Sequence, residues 1–172
     1  MATDNRDKLV RPDFMTDEQF EWLKKATGSL DLIRSDAKAD VERYKANPEG
    51  WSTGKGSPSG LPTLLLSTLG RKSGEKRTTP LVFMQWGDAM VIVGSLAGYD
   101  QDPTWFTNMK TNRTCWVQKD HDQYVCIGRD VTDEERKALW PQLDQVFPAW
   151  GYFQKTTDRP FPMVSLEIQK KL

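Results

Sequence analysis

Residues Leu64 to Arg77, LLLSTLGRKSGEKR, run an apolar stretch directly into a glycine-bracketed cluster of positive charge. Leu64, Leu65 and Leu66 read as strand, Gly70 and Gly74 open backbone conformations closed to other residues, and Arg71, Lys72, Ser73, Lys76 and Arg77 supply donors. Such a turn suits a guest carrying phosphate or carboxylate. Arginine offers oxyanions a planar fork, lysine a mobile point charge, and backbone N–H groups beside Ser73 can complete a nest. The order GRKSG is not that of a Walker loop. A solvated hairpin turn accounts for the same residues as well, so the turn alone does not decide between the two.

A second cluster starts where another strand ends. Gly94, Ser95, Leu96, Ala97 and Gly98 are small or apolar, and Pro103, Trp105, Phe106 and Asn108 follow. Small residues let the backbone approach a planar ring, Trp105 offers a wall, and Ser95 offers a hydrogen bond. The simpler account is a strand-to-helix turn packed by Trp105.

Composition narrows the partners. The chain of 172 residues is long enough for one domain that buries about two-thirds of its unfolded surface. Its 24 basic and 24 acidic residues cancel, so the Arg71–Arg77 cluster is local and speaks against nucleic acid. Seven Trp, seven Phe and four Tyr, several in loop-like contexts, suit a pocket for a flat ligand. Cys115 and Cys126 form no CxxC pair and His121 is the sole histidine, which leaves no metal set and no histidine-based triad. The polar start has no apolar h-region and no run approaches the ~18 apolar residues of a membrane span. A cytoplasmic chain without an integral membrane segment is expected, with peripheral membrane contact left open and the oligomeric state not legible.

The elements that must position these clusters fall into three stretches of a single domain. Residues 1–13 read as disordered, 14–60 as two helices and a linker, and 61–172 as the ligand-binding body. Thr16 opens a helix carrying Phe20 and Leu23 that ends near Gly28. Leu30, Ile33, Ala37, Val41 and Tyr44 then form one apolar stripe. Trp51, within the Gly/Ser/Pro-rich linker 47–60, is expected to anchor that loop. Strands are expected at 62–69, 77–86, 89–95, 114–119, 123–130 and Met163–Ile168, with Gly87 and Asp88 as a hairpin turn. A short helix follows Pro103 with Asp102 as its cap, and Thr132 with Glu135 forms a capping box for a helix toward Phe147 that breaks at Pro141. Alternation in Met163–Ile168 puts Val164, Leu166 and Ile168 on one side, and Ser165 and Glu167 on the other. The whole predicts a mainly β, α+β fold: a split antiparallel β-barrel of about six strands with flanking helices.

The two clusters together resemble the deazaflavin-dependent nitroreductase family of split β-barrel flavin/deazaflavin oxidoreductases. The resemblance runs from about Leu61 to the C-terminal end. It rests on the strand entering GRKSG, the RTTPL segment from Arg77 to Leu81, the Ser95 turn, Pro103-x-Trp105-Phe106-x-Asn108, and Gln154-x-x-x-Asp158-Arg159-x-x-Pro162. It implies coenzyme F420, a deazaflavin with a phosphate-linked lactyl and polyglutamate tail, and hydride transfer to an enone, quinone or nitroaromatic. On this resemblance Arg71, Lys72, Ser73 and Gly74 take the tail, with Lys76 and Arg77 assisting. Thr79, Pro80, Leu81 and Val82 line the ring together with Ser95, Leu96, Ala97 and Gly98, and Pro103, Trp105, Phe106 and Asn108 complete that side. Ser95 is then the catalytic residue, orienting the acceptor or relaying a proton from water.

Two departures bear on this. The family's Ser-Lys-Gly-Gly is Ser95-Leu96-Ala97-Gly98 here, with one positive charge fewer. Its Tyr-x-x-Tyr-x-x-Tyr on the substrate side is Phe147-x-x-Trp150-x-x-Phe153, with Tyr152 out of phase by about 100 degrees on a helix. Related split barrels hold flavin mononucleotide (FMN) at the same turn, which is the alternative cofactor, and a non-catalytic cofactor- or lipid-binding protein is the alternative to an enzyme.

Overall fold

The computed structural model describes residues 9–172. Of the segment expected to be disordered, residues 1–8 lie outside the described residues. Beyond them, the Val10 carbonyl accepts a hydrogen bond from Tyr152 Oη at 2.9 Å, and Arg11 pairs with Asp17 at 2.9 Å.

Six antiparallel strands close a barrel in the order β1-β2-β3-β6-β5-β4. They are β1 (Thr63–Leu69), β2 (Lys76–Trp86), β3 (Ala89–Val93), β4 (Thr114–Lys119), β5 (Asp122–Asp130) and β6 (Met163–Lys171). The long strand β2 serves two neighbours in turn, pairing with β1 over Lys76–Val82 and with β3 over Phe83–Trp86. Pro80 is tolerated because that part of β2 has β1 on one side only, so no ladder donor is demanded on the other.

Period-two alternation sends side chains into two cores. Phe83, Met90, Ile92, Val164 and Leu166 point into the barrel, while Met84, Val91, Val93 and Met163 point outward beneath the helices. Ser165, on the side of β6 opposite Val164 and Leu166, is also fully buried. β3 ends at Val93, so Gly94 and Ser95 lie beyond it, and β6 runs three residues past Ile168 to Lys171.

Helices α1 (Asp17–Thr27), α4 (Asp133–Val146) and α5 (Ala149–Gln154) cover the outer core, where Phe20, Leu23, Leu139 and Leu143 meet Trp150 and Phe153. The capping boxes at Thr16 with Gln19 and Thr132 with Glu135 are both formed. Helix α4 does not break at Pro141. The proline is exposed, where water can serve the carbonyl it leaves unbonded, and burial of Leu139 and Leu143 on either side holds the helix through it. The chain breaks instead at Phe147, whose φ of -146 takes it out of the helix before Pro148.

Helix α2 (Leu30–Ala46) carries Tyr44 to the foot of the barrel. There the Tyr44 hydroxyl lies 2.9 Å from the donating Asp120 N–H, and burial pushes its pKa up to about 12. Trp51 anchors its loop, as the linker reading has it, with its ring 4.5 Å from that of Tyr44. Helix α3 (Thr104–Thr111) inserts Trp105 and Met109 into the barrel end. Pro103 occupies its cap position without a side-chain bond, and Asp102, expected there, turns instead to Lys110 and Arg159. No helix among the described residues is long and apolar enough to cross a membrane.

Candidate functional site

The basic turn between β1 and β2 is built by local hydrogen bonds and pinned from one side. Gly70 N–H donates to the Glu75 carbonyl at 2.8 Å, Gly74 N–H to the Gly70 carbonyl at 2.7 Å, and Glu75 N–H to Ser73 Oγ at 3.2 Å. Gly74 adopts φ +70, a conformation glycine takes without strain. Helix α3 supplies the pin: Asn108 Oδ1 accepts Arg71 N–H at 3.2 Å and Thr107 Oγ1 accepts Arg71 Nη1 at 3.1 Å. The N–H groups of Lys72 and Ser73 have no acceptor among the described residues. Nor does any of Arg71, Lys72 and Lys76 sit in an ion pair there, although Lys76 Nζ lies 3.8 Å over the Trp116 ring and Arg77 pairs with Glu75 at 2.9 Å. Exposed cations without counter-ions, beside free amides, are the donor set an oxyanion needs.

Beyond the turn, Arg77 and Thr78 are exposed and Thr79, Pro80, Leu81 and Val82 are half-buried along the part of β2 that pairs with β1. After β3, which pairs with β2 from Phe83 onward, Leu96, Ala97 and Gly98 take φ of 42, 50 and 79 in succession. For the two non-glycine residues this conformation costs roughly 1–2 kcal/mol each. At Gly98 a Cβ would lie 2.2 Å from Thr156 Oγ1, just past the end of α5, so glycine suits this close approach. Ser95, at the entrance to this turn, is half-buried, and its hydroxyl has no hydrogen-bond partner among the described residues.

Arg159 holds the turn. Its Nε donates to the Tyr99 carbonyl at 2.9 Å, Nη1 to the Gly94 carbonyl at 3.0 Å and Nη2 to the Ser95 carbonyl at 2.8 Å. Burial pulls the guanidinium pKa down, and the nearby charges of Asp102 and Asp100 oppose the shift. Beside it a cleft of about 550 Å3 opens between Asp102, Phe106, Arg136, Arg159 and Phe161.

The remaining residues singled out from sequence divide into exposed and buried. Phe106 is half-buried and lines that cleft, whereas Trp105 at 6% exposure and Asn108 at 2% are enclosed. Pro103 is buried beside Gly94. Trp150 and Phe153 sit at 3% and 6% exposure in the outer core, and only Phe147 of that trio is half-buried, edge-on to Trp150 at 5.4 Å. Arg159, Asp102 and Thr107 are the contributors that residue types alone did not single out. Arg159 stood in the Asp-Arg-x-x-Pro pattern with no role attached.

Residues 37–167 match the profile of the F420H2-dependent quinone reductase family. The chain belongs to this family. An F420H2-dependent quinone reductase of Mycobacterium tuberculosis is 31% identical over 112 residues, covering 63% of this chain and 75% of its own. A solved F420-H2 dependent reductase, FDR-A, gives a TM-score of 0.58 at 32% identity over 62% of this chain and 94% of its own. A chain solved as a domain-swapped dimer gives the same TM-score at 28% identity, over 76% of this chain and 100% of its own. As a member of this family, the chain is an oxidoreductase whose cofactor is coenzyme F420. The residues present fit that cofactor: unpaired cations and free amides at Arg71–Lys76 suit its phosphate and acidic tail, and the half-buried Thr79–Val82 strip suits an apolar ring face. Profile and helices overlap only in part, since the match starts within α2 and leaves α1 outside.

Proposed function

We propose that this protein transfers hydride from reduced coenzyme F420 to a planar, electrophilic acceptor, and that a quinone is the acceptor class it serves, ahead of enones and nitroaromatics. The observation that carries the reading is the trio Arg71, Lys72 and Lys76, without counter-ions among the described residues, on and just after a turn that α3 fixes in place. Arg71 and Lys72 bind the phosphate, with the Lys72 and Ser73 amides completing the cradle, and Lys76 and Arg77 meet the acidic tail. When bound, the reduced deazaflavin supplies the hydride. The acceptor quinone, having gained hydride, takes one proton to become the hydroquinone. Ser95 orients the water that delivers it, because its free hydroxyl can donate and accept at once. Phe106 keeps bulk water from the ring, and the Thr79–Val82 strip sets the ring's depth.

The test is anaerobic oxidation of F420H2 by the purified protein with menadione, cyclohexenone and a nitroimidazole as acceptors, alongside fluorescence titration with F420 and FMN. Micromolar F420 binding with menadione turned over fastest is expected. Binding of FMN but not F420 would replace the cofactor, and binding of F420 with no acceptor reduced would leave a carrier.

A further inference from the structure

We infer that Arg159 is a positioning residue for the deazaflavin ring, setting the left-handed Leu96–Gly98 turn from both ends, and that Asp102 ties that setting to the helix which pins the phosphate turn. The inference rests on the proposed placement of the ring against Ser95–Gly98. Gly94 and Ser95 precede the strained residues and Tyr99 follows them, and a single planar guanidinium bonds all three carbonyls at 2.8–3.0 Å. A rigid fork is suited to this because its donors diverge at fixed angles, which a lysine ammonium cannot reproduce. The Arg159 side chain is only 10% exposed, so water competes weakly for these bonds.

Asp102 extends the arrangement. One of its oxygens lies 3.4 Å from Arg159 Nη1 and the other accepts Lys110 Nζ from α3 at 2.9 Å. Through Thr107 and Asn108 the same helix holds Arg71. A continuous set of polar contacts thus runs from the tail turn, along α3, through Asp102 to the ring turn. It fixes the spacing between the two ends of one long cofactor.

Arg159 also lies over the Phe161 ring at 4.9 Å, so a purely structural role must be separated from positioning. Coenzyme F420 is titrated by fluorescence into wild type, Arg159→Lys and Asp102→Asn, with the visible spectrum of the bound cofactor and the melting temperature recorded for each. Arg159→Lys is expected to weaken F420 binding by about tenfold or more and to alter the bound spectrum. Asp102→Asn should shift both in the same direction by less. If Arg159→Lys lowers the melting temperature while affinity and spectrum match wild type, the residue is structural and the inference fails with the proposed function untouched. Should Arg159→Lys not fold, Asp102→Asn decides, and wild-type affinity with a wild-type spectrum overturns the inference. Absence of F420 binding in the wild type itself would sink the cofactor reading, and the inference with it.

Discussion

The side chain of Asn108 holds the backbone of Arg71: its Oδ1 accepts the Arg71 N–H at 3.2 Å while its Nδ2 donates to Thr68 Oγ1 at 3.1 Å. One enclosed amide therefore joins α3, the end of β1 and the basic turn. Asn108→Ala leaves a buried hydroxyl and a backbone N–H without partners, and should cost about 1–3 kcal/mol in denaturant unfolding. It should also weaken F420 binding, since Arg71 and Lys72 lose their anchor. Unaltered affinity in a destabilised Asn108→Ala protein would separate the anchor from the site.

The cations of the turn should act through charge. Lys72→Ala is the cleaner variant, because Lys72 bonds no protein group among the described residues whereas Arg71 also donates to Thr107. A charge-assisted contact to phosphate contributes roughly 1.5–3 kcal/mol, so each alanine variant should lose about ten- to a hundredfold in F420 affinity with little change in melting temperature. Added salt should weaken the wild type in the same sense, and weaken Lys72→Ala less steeply. Matching salt slopes would mean Lys72 stays solvated when F420 binds.

Local chemistry was legible in this sequence wherever one turn of chain decides the outcome. Thr16 and Thr132 capped as their spacing requires, Gly87-Asp88 closed its hairpin, and Trp51 anchored its loop. Long-range burial was not legible. Ser165 falls opposite the apolar side of β6, yet it is fully buried, and Trp105 reads as ligand wall or barrel plug from its type and position, while the fold packs it into the barrel core. Asp102 sits where a cap belongs, but two cations 8 and 57 residues away draw it off. Only the folded chain brings Arg159 to the carbonyls of Gly94 and Ser95, so no spacing rule could assign it.

Trp105 should behave mainly as that plug. Trp105→Ala is expected to cost about 3–5 kcal/mol in unfolding free energy, the usual range for an enclosed aromatic. Trp105→Phe should be far milder and leave F420 affinity within about twofold, because half-buried Phe106 rather than Trp105 lines the neighbouring cleft. A large affinity loss in a well-folded Trp105→Phe protein would return the indole to the ring site.

Acid should loosen the junction of β5, β6 and α4. Arg129 donates to both oxygens of Glu135, at 2.9 and 3.2 Å, and to Glu167 at 2.7 Å. The Arg129 hydrogen bond, and then the Thr132 N–H, hold the Glu135 carboxyl below the usual carboxylate range. Since the folded pKa lies under the unfolded one, the pair's contribution is fully present above the unfolded value and is lost as the pH falls through the folded value. Melting temperature should therefore drop on acidification below the ordinary glutamate range. Glu135→Gln should melt lower at pH 7 and show a flatter acid limb, and an unchanged acid limb would place the sensitivity in other carboxylates.

Ser95 is where binding and turnover should part. Its carbonyl is fixed by Arg159 at 2.8 Å, but its hydroxyl is half-buried and uncommitted among the described residues, so the backbone can stay in place when the side chain is changed. The three aromatic positions at Phe147, Trp150 and Phe153 carry no phenol, and Tyr152, the nearest one, already donates to the Val10 carbonyl at 2.9 Å. A serine hydroxyl is too weak an acid to protonate the product outright, which leaves it the task of orienting water. Ser95→Ala should then lower kcat for a quinone about ten- to a hundredfold while the F420 dissociation constant moves by less than about threefold. Ser95→Thr, which keeps the hydroxyl, should recover part of the rate. If binding and turnover fall together in Ser95→Ala and Ser95→Thr rescues neither, the residue only supports the ring, and the proton reaches the product by a path that does not involve it.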